Sequence, residues 1–163
     1  MPNAGIATHI GPQLDIGEEE YDALWDLNVK STFFLISECR ALLEASKEKG
    51  GAANVCVISS TDGTNPMAVV GLYGATKAAL DNIVKFLAEE FRVGGNGVRV
   101  NGLAPGLIKT EFSEPLWSGG AFPEEAVGAA HHVASLAATI CSKDDGGFMN
   151  GEIYKVHGGF AKL

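Results

Sequence analysis

The stretch VCVISSTDGTNPMAVVGLYGATK, residues 55–77, contains Ser60, Tyr73 and Lys77 at spacings that matter. Its first five residues, 55–59, are apolar and β-branched enough to form a buried strand. Ser60 then falls at the carboxyl end of that strand, where open α/β sheets place their ligand crevices. Tyr73 and Lys77 stand four residues apart, so on a helix they share one face. The stretch therefore predicts a strand, a turn and a helix that bring three polar side chains together.

These three side chains suit proton transfer. A free tyrosine has a pKa near ~10, and lowering it by about 2–3 pKa units requires roughly 3–4 kcal/mol of preferential stabilisation of the phenolate. A lysine ammonium about 4 Å away supplies about that much at an effective dielectric of ~20. We therefore expect Lys77 to lower the pKa of Tyr73, and Ser60 to hold a carbonyl or alcohol oxygen. The alternative is that Ser60 only satisfies a turn at the end of the strand.

The spacing of these residues resembles the signature of the short-chain dehydrogenase/reductase family, a serine followed by Tyr-x-x-x-Lys. Further blocks match the family in chain order. Asn3-Ala4-Gly5 resembles the end of its Asn-Asn-Ala-Gly motif, Asn28 in LNVKS resembles its helix asparagine, and Pro105-Gly106 with Thr110 resembles its nicotinamide loop. Within the family, residues 102–117 and the tail most resemble the peroxisomal carbonyl and retinal reductase subgroup.

The resemblance implies an oxidoreductase that uses NAD or NADP to interconvert a small-molecule carbonyl and an alcohol. Tyr73 would be the acid in carbonyl reduction and the base in alcohol oxidation. Lys77 would also hold the ribose hydroxyls of the nicotinamide nucleoside. Asn28 would shape its helix so that a chain of waters reaches the lysine. The alternative for Asn28 is a buried amide that only ties the helix to a strand, since asparagine is a poor residue for a helix interior.

The resemblance also implies a set of cofactor-binding positions. In this sequence they are Asn3, Gly5, Tyr73, Lys77, Pro105, Gly106, Ile108 and Thr110. Thr110 and the backbone around Ile108 would meet the nicotinamide carboxamide. Phe112 and Trp117, which follow in the same segment, are expected to pack as part of a lid rather than to recognise the substrate.

We expect one domain over residues 1–163. Alternating strands and helices imply a parallel sheet with crossover helices, here a partial Rossmann-like, doubly wound α/β fold. The chain begins inside what would be the family's fourth strand, so four strands are expected in all. The predicted helices lie at about 18–46, 73–92 and 124–142, and the later strands at 55–59, 98–103 and 153–156.

The sequence lacks the glycine-rich turn that receives the cofactor's pyrophosphate in doubly wound folds. Its one dense glycine run, residues 94–97, follows a helix and precedes a strand, which is the wrong order for phosphate capture. The family's first three strands are likewise not found. The alternative function is therefore a catalytically inactive, truncated relative that acts as an oligomerisation partner. In either case the two long helices are expected to pair subunits in a homo-oligomer.

Composition excludes several other classes. A net charge of −8 argues against nucleic acid or an anionic membrane surface as a partner. The apolar runs are too short to span a membrane. Cys39, Cys56 and Cys141 are scattered in apolar contexts, which predicts reduced, buried thiols. The neighbours His131 and His132 should point to different sides of a helix, so no metal site is expected.

The last three residues, Ala161-Lys162-Leu163, are a conservative variant of the Ser-Lys-Leu peroxisomal address. We therefore expect import into the peroxisome or a related organelle. The alternative is a cytoplasmic protein whose charged C-terminus no receptor reads.

Overall fold

The computed structural model describes residues 1–51 and 53–160, without the side chains of residues 47 and 48. Its sheet has three parallel strands: β1 (Asn54–Ile58), β2 (Arg99–Pro105) and β3 (Ile153–Val156), in that spatial order. β2 is the central strand, with Val57 opposite Gly102 on one side and Ile153 opposite Gly102 on the other. The predicted parallel α/β sheet is therefore confirmed.

The expected fourth strand at the start of the chain is wrong. Residues 1–10 form no strand, although the Pro2 carbonyl accepts one hydrogen bond from the Ile58 N–H at 3.0 Å. Pro2 has no N–H of its own to donate to a ladder. A few residues later, both backbone groups of Ile6 are bonded to a side chain, that of Asn28. These bonds take the segment's polar groups away from strand pairing.

The first long helical region runs over nearly the predicted extent but contains an irregular turn. Helix α1 (Glu18–Trp25) leads into a π-helical turn (Asp26–Lys30) and then into α2 (Ser31–Glu48). The Glu20 carboxylate accepts the Gly17 N–H at 3.3 Å, which closes the first turn of α1. Asn28 lies within the π-helical turn, a feature that often marks functional sites.

The second long helix, α3 (Gly71–Val93), matches the prediction to within two residues at its start and one at its end. A short helix, α4 (Glu114–Trp117), follows β2. The sequence predicts that the last long helix begins near residue 124, but α5 covers only Ala130–Cys141. Gly128 explains the later start. Its N–H donates to the Leu107 carbonyl and its carbonyl accepts from Lys109, both at 2.8 Å, so this backbone is extended rather than helical.

The core has two parts, one on each face of the sheet. The larger packs α2 and α3 against β1 and β2 and includes Ile36, Val57, Leu80, Val84, Leu87, Phe91 and Val100. The smaller packs α5 against the sheet through Cys56, Leu103, Ala137 and Ile140. Both layers leave the carboxyl ends of β1 and β2 open.

The cysteine prediction is only partly right. All three thiols are free, but only Cys56 is fully buried, while Cys39 and Cys141 are partly exposed. Cys39 lies on α2 outside the core, so its helix face decides its exposure. In the described part of the chain, no helix is both long and apolar enough to cross a membrane.

Candidate active site

A cavity of about 1090 Å³ opens at the carboxyl ends of β1 and β2. It collects residues from segments far apart in the chain. The predicted site residues that line it are Asn3, Gly5, Ser60, Tyr73, Lys77, Pro105, Gly106, Ile108 and Thr110. Asn28 is the one predicted site residue that does not line the cavity. It lies behind the wall formed by Gly5 and Lys77, as the contacts below show.

Ser60 is the residue that leaves β1. Its backbone is extended, and its Oγ accepts the Asp62 N–H at 3.2 Å, which starts a 3₁₀ turn at Thr61–Gly63. The turn-forming role considered for this serine is therefore present. Its hydroxyl also faces Tyr73, where hydrogen bonding lowers the pKa of the phenol. The same side chain can form the turn and contact the cavity.

Tyr73 does not have the lowered pKa that the sequence led us to expect. Burial raises its pKa to about 12, opposed by the Ser60 hydroxyl and reinforced by the negative charge of Asp62. Lys77 is close, with Nζ 5.4 Å from the centre of the Tyr73 ring, but over the ring rather than at the hydroxyl. The expectation that the lysine lowers the pKa of Tyr73 is thus wrong for this structure, in which desolvation of the phenolate has the largest effect on that pKa.

Lys77 is almost fully buried, and that changes its own charge state. Its Nζ donates to the Ile58 carbonyl at 3.0 Å, at the end of β1. Burial lowers the pKa of Lys77 to about 8, while the carboxylate of Asp81 one turn later works in the opposite direction. The ammonium thus loses its proton far more easily than a surface lysine does.

Asn28 joins the π-helical turn to two other segments. Its Oδ1 accepts the Ile6 N–H at 2.8 Å, and its Nδ2 donates to the Ile6 carbonyl at 2.9 Å and to Thr76 Oγ1 at 3.0 Å. Thr76 in turn donates to the Tyr73 carbonyl at 2.7 Å. These bonds match the alternative in which a buried amide ties the helix to its neighbours. They also support the backbone of Tyr73 from behind.

Two glycines of the cavity wall stand close to their neighbours, and Gly106 is the more tightly confined of the two. A Cβ on Gly5 would lie 3.3 Å from Asn28 Oδ1 and 3.4 Å from Lys77 Nζ, so the bare backbone leaves room beside the lysine. A Cβ on Gly106 would lie 2.8 Å from the Cβ of His157, which is too close for any other residue. Both glycines belong to the wall at which the resemblance leads us to expect the nicotinamide nucleoside.

The segment after Gly106 covers one side of the cavity. Ile108 pairs with Gly128, and the exposed Thr110 accepts the Trp117 indole N–H at its carbonyl, at 3.1 Å. The Phe112 ring lies 5.9 Å from the Tyr73 ring, centre to centre. Phe112 lines the cavity and is 53% exposed, so its expected role as lid packing stays a prediction, as does that of Trp117.

Two residues of the site were not predicted from the sequence. Thr76 is fully buried and holds the Asn28 amide, and Asp62 is 8% exposed and lines the cavity. Burial raises the pKa of Asp62 to about 6, while the Met67 N–H opposes the rise. Their sequence signals are their positions, one directly before Lys77 and the other two residues after Ser60.

His131 and His132 do not point apart as expected. Their rings stack edge to face at 4.2 Å, centre to centre, at the start of α5. The His132 ring also accepts the Ala129 N–H at 3.1 Å, which caps the helix. Across residues 1–51 and 53–160, no group of three or more metal-ligating side chains comes together.

Comparison with known proteins identifies the family. A family model described as enoyl-(acyl carrier protein) reductase matches residues 1–161. Rabbit (Oryctolagus cuniculus) dehydrogenase/reductase SDR family member 4 is 33% identical over 98% of this chain and 62% of its own length. Human dehydrogenase/reductase SDR family member 2, mitochondrial, is 32% identical over 99% of this chain and 58% of its own. The chain thus spans about three fifths of the curated relatives it matches.

Solved structures agree on the fold. The 3-ketoacyl-(acyl-carrier-protein) reductase of Brucella melitensis, complexed with NADH, superposes with a TM-score of 0.89 at 22% identity, covering 99% of this chain and 66% of that one. A short-chain type dehydrogenase/reductase of Mycobacterium ulcerans gives a TM-score of 0.82 at 29% identity, covering 97% and 58%. The match of the family model over residues 1–161 shows that this chain belongs to the short-chain dehydrogenase/reductase family.

Proposed function

We propose that this chain carries the catalytic residues of an NAD- or NADP-dependent oxidoreductase that interconverts a carbonyl and an alcohol. The observation that supports this most is the meeting of Ser60, Tyr73 and Lys77 at one cavity, with Asn28 bonded behind them. Three polar side chains at the carboxyl end of a parallel sheet are a common arrangement for binding and chemistry in α/β folds.

The cofactor is argued from the cavity wall and from the relatives. A 4-hydroxyisoleucine dehydrogenase 26% identical to this chain is complexed with NADH, and the protein ElxO, also 26% identical, has NADP bound. The candidate residues for the nicotinamide half are Lys77, the open backbone at Gly5, and the Pro105–Thr110 segment. When bound, the nicotinamide supplies or accepts the hydride.

Tyr73 is assigned as the donor of the proton that the carbonyl oxygen of the substrate receives. A pKa of about 12 keeps its hydroxyl protonated at neutral pH, which suits donation to a carbonyl oxygen that is gaining negative charge. Ser60 contributes a second hydroxyl to the same oxygen, as donors that meet developing charge do. Lys77 is assigned the replacement of that proton, because its pKa of about 8 lies near neutrality; since its Nζ lies over the ring, the proton would reach the hydroxyl through solvent in the cavity. These roles favour the direction of carbonyl reduction.

Calorimetric titration with NADH and NADPH, followed by a ketone turnover assay, tests the proposal. Tyr73→Phe should reduce turnover by a factor of roughly 10²–10⁴ and leave cofactor affinity unchanged, because it removes only the transferable proton. Lys77→Ala should reduce both. Tyr21→Phe is a matched control, since Tyr21 lies on α1 and is 39% exposed.

Two results would contradict the proposal. The first is Tyr73→Phe retaining more than about a tenth of the turnover, which would remove the proton-transfer role. The second is the absence of measurable binding of either nucleotide. That second result would favour the inactive oligomerisation partner over the enzyme.

We also propose that a second copy of the chain covers an apolar face on α2 and α3. A groove of about 490 Å³ there is lined by Trp25, Val29, Phe33, Phe34, Ile83 and Phe86, among others. Phe34 is 54% and Phe86 43% exposed, which is unusual for aromatic side chains of this size. The resemblance supports a copy of the same chain as the occupant, since these helices pair subunits in many relatives.

Sedimentation velocity at micromolar concentration tests this pairing. Phe34→Glu with Phe86→Glu should shift the protein to monomer, whereas Leu14→Glu, at a fully exposed position away from the groove, should not. A stable monomer of the unmodified chain would contradict the pairing.

The peroxisomal address remains a prediction, because residues 161–163 lie outside the described residues, and a fluorescent fusion tests it.

A further inference from the structure

Asp62 has a place in the cavity that the reaction just proposed does not use. It lies in the middle of the 3₁₀ turn after Ser60 and is 8% exposed. Its backbone is held firmly against α3, since a Cβ on Gly74 would lie only 2.8 Å from the Asp62 carbonyl oxygen. Gly74 directly follows Tyr73, and Asp62 and Tyr73 line the same cavity close enough for the charge of Asp62 to raise the pKa of Tyr73.

The other hydroxyls along this wall are mostly engaged within the protein. Ser59 Oγ donates to the Lys77 carbonyl at 3.2 Å, and Thr61 Oγ1 donates to the Pro105 carbonyl at 3.3 Å. Ser113 Oγ donates to the Ile108 carbonyl. Asp62 differs from these residues in carrying a carboxyl group, and it is the one acidic residue among the described residues that line the cavity.

A second group of the residues that line the cavity is apolar. Its side chains come from the segments after β2 and from α5, and they include Leu107, Phe112, Leu116, Phe122, Val133 and Ala137. A ligand that fills the cavity would bury its hydrocarbon part against these side chains. The Asp62 carboxylate in the same cavity then sets a requirement, because a buried charge with few hydrogen-bond donors around it is costly.

We propose that Asp62 accepts a hydrogen bond from a hydroxyl or ammonium group that the substrate carries next to its reactive carbonyl. The enzyme thereby selects hydroxy- or amino-ketones over plain ketones. This inference rests on the proposed function, because it names the substrate class of the same cavity. Asp62 is a specificity residue here, and it takes no part in proton transfer to the carbonyl.

The carboxylate has the capacity for this bond. Two carboxylate oxygens offer about four acceptor positions, and the Met67 N–H faces the group as one donor. A hydrogen bond to a charged acceptor contributes about 1.5–3 kcal/mol. A plain ketone would leave that acceptor facing hydrocarbon, and sites built to bond a substrate hydroxyl reject analogues that lack it.

Three matched ligands test the inference: cyclohexanone, 2-hydroxycyclohexanone and 2-aminocyclohexanone. The ring holds the donor at one distance from the carbonyl. Binding to the whole chain is measured by ligand-observed NMR, with and without NADH or NADPH, and kcat/KM is measured alongside. We expect the hydroxy or the amino compound to bind roughly 10–100-fold more tightly than cyclohexanone, the range that one charged hydrogen bond supplies.

Two variants distinguish a hydroxyl donor from an ammonium donor on the ligand. Asp62→Leu removes the acceptor while keeping the same branching of the side chain, and it should abolish the preference. Asp62→Asn keeps an acceptor oxygen but loses the charge, so it should preserve part of a hydroxyl preference and eliminate an ammonium preference. Asp15→Leu, at an exposed position outside the cavity, is the control and should change nothing.

The outcomes separate this inference from the proposed function. Equal binding of all three ligands, or a preference that survives in Asp62→Leu, would overturn the role of Asp62. If Asp62→Leu fails to fold, the role of Asp62 is decided by Asp62→Asn alone, through its binding of 2-aminocyclohexanone relative to cyclohexanone. A preference in binding with no turnover of any ketone would support Asp62 and overturn the reductase. Turnover without any preference among the three ligands would support the reductase and overturn the role of Asp62.

Discussion

The two halves of α3 are buried to a similar degree but by opposite kinds of side chain. The C-terminal half packs Val84, Leu87 and Phe91 against the sheet. The N-terminal half buries Thr76, Lys77 and Asp81 near the cavity. One helix therefore contributes both to the core and to the site.

The difference shows where the helix gains and loses stability. Burying a leucine or phenylalanine side chain contributes about 1.5–3 kcal/mol. Burial works against the N-terminal half, where it lowers the pKa of Lys77 and raises that of Asp81. Neither carboxyl oxygen of Asp81 has a hydrogen-bond partner among the described residues, and the nearby Ser59 hydroxyl donates to the Lys77 carbonyl instead. Strain of this kind is typical of functional sites.

Leu80→Ala should give the largest change, because it opens a cavity in the core between α3 and the sheet, at a side chain only 1% exposed. We expect the free energy of unfolding to fall by about 3 kcal/mol. Urea denaturation measures it, with Leu42→Ala as the control, since Leu42 is 73% exposed on α2. An effect no larger than that of the control would mean that the apolar face of α3 does not carry the core.

Asn28→Ala should have the next largest effect. It leaves the N–H and the carbonyl of Ile6 without their side-chain partner, and it removes a hydrogen-bond partner of Thr76. We therefore expect a loss of about 2 kcal/mol in the free energy of unfolding. Hydrogen exchange of the Ile6 amide should rise as well. Asn82→Ala, at an exposed position on α3, is the matched control. Unchanged exchange at Ile6 would show that the amide does not hold this segment.

Lys77→Met should stabilise the protein at pH 7 by about 1–2 kcal/mol while removing function, because burial disfavours the ammonium. The pKa of Lys77 is lowered from 10.5 to about 8, so the unfolded chain binds more protons between these values. The stability of the unmodified protein therefore rises with pH across that window. The advantage of methionine should shrink toward about pH 10. Urea denaturation at both pH values measures this, with exposed Lys85→Met as the control.

Asp62→Asn should give the smallest effect: we expect the free energy of unfolding to rise by about 1 kcal/mol at pH 7. The rise is small because the carboxyl group faces an open cavity, where solvent screens its charge. Its pKa is raised from 3.8 to about 6, so the folded state binds more protons in that window. Stability of the unmodified protein therefore falls as the pH rises through it. The gain should vanish near about pH 3, where both states are protonated. A gain that stays constant between the two pH values would contradict this, and Asp15→Asn serves as the control.

Much of the fold could be predicted because its signals are local. The alternating and apolar runs around Val57 and Val100 specify strands, and the spacing of Leu80, Val84 and Leu87 specifies one buried helix face. The start of α5 could not be predicted in this way. Gly128 pairs with residues 107–109, about twenty residues earlier, and no local pattern encodes that pairing. The missing fourth strand has a similar cause, since Asn28 takes the Ile6 backbone groups.

The sequence by itself determined which chemical groups meet, because a strand, a turn and one helical turn bring Ser60, Tyr73 and Lys77 to the same edge of the sheet. Only the tertiary structure decided their protonation. The pKa of Tyr73 rises to about 12 and that of Lys77 falls to about 8 because burial removes water from both. The atoms that exclude this water come from distant segments, such as the one that carries Phe112. Desolvation depends on all of these neighbours at once, and spacing along the chain does not report them.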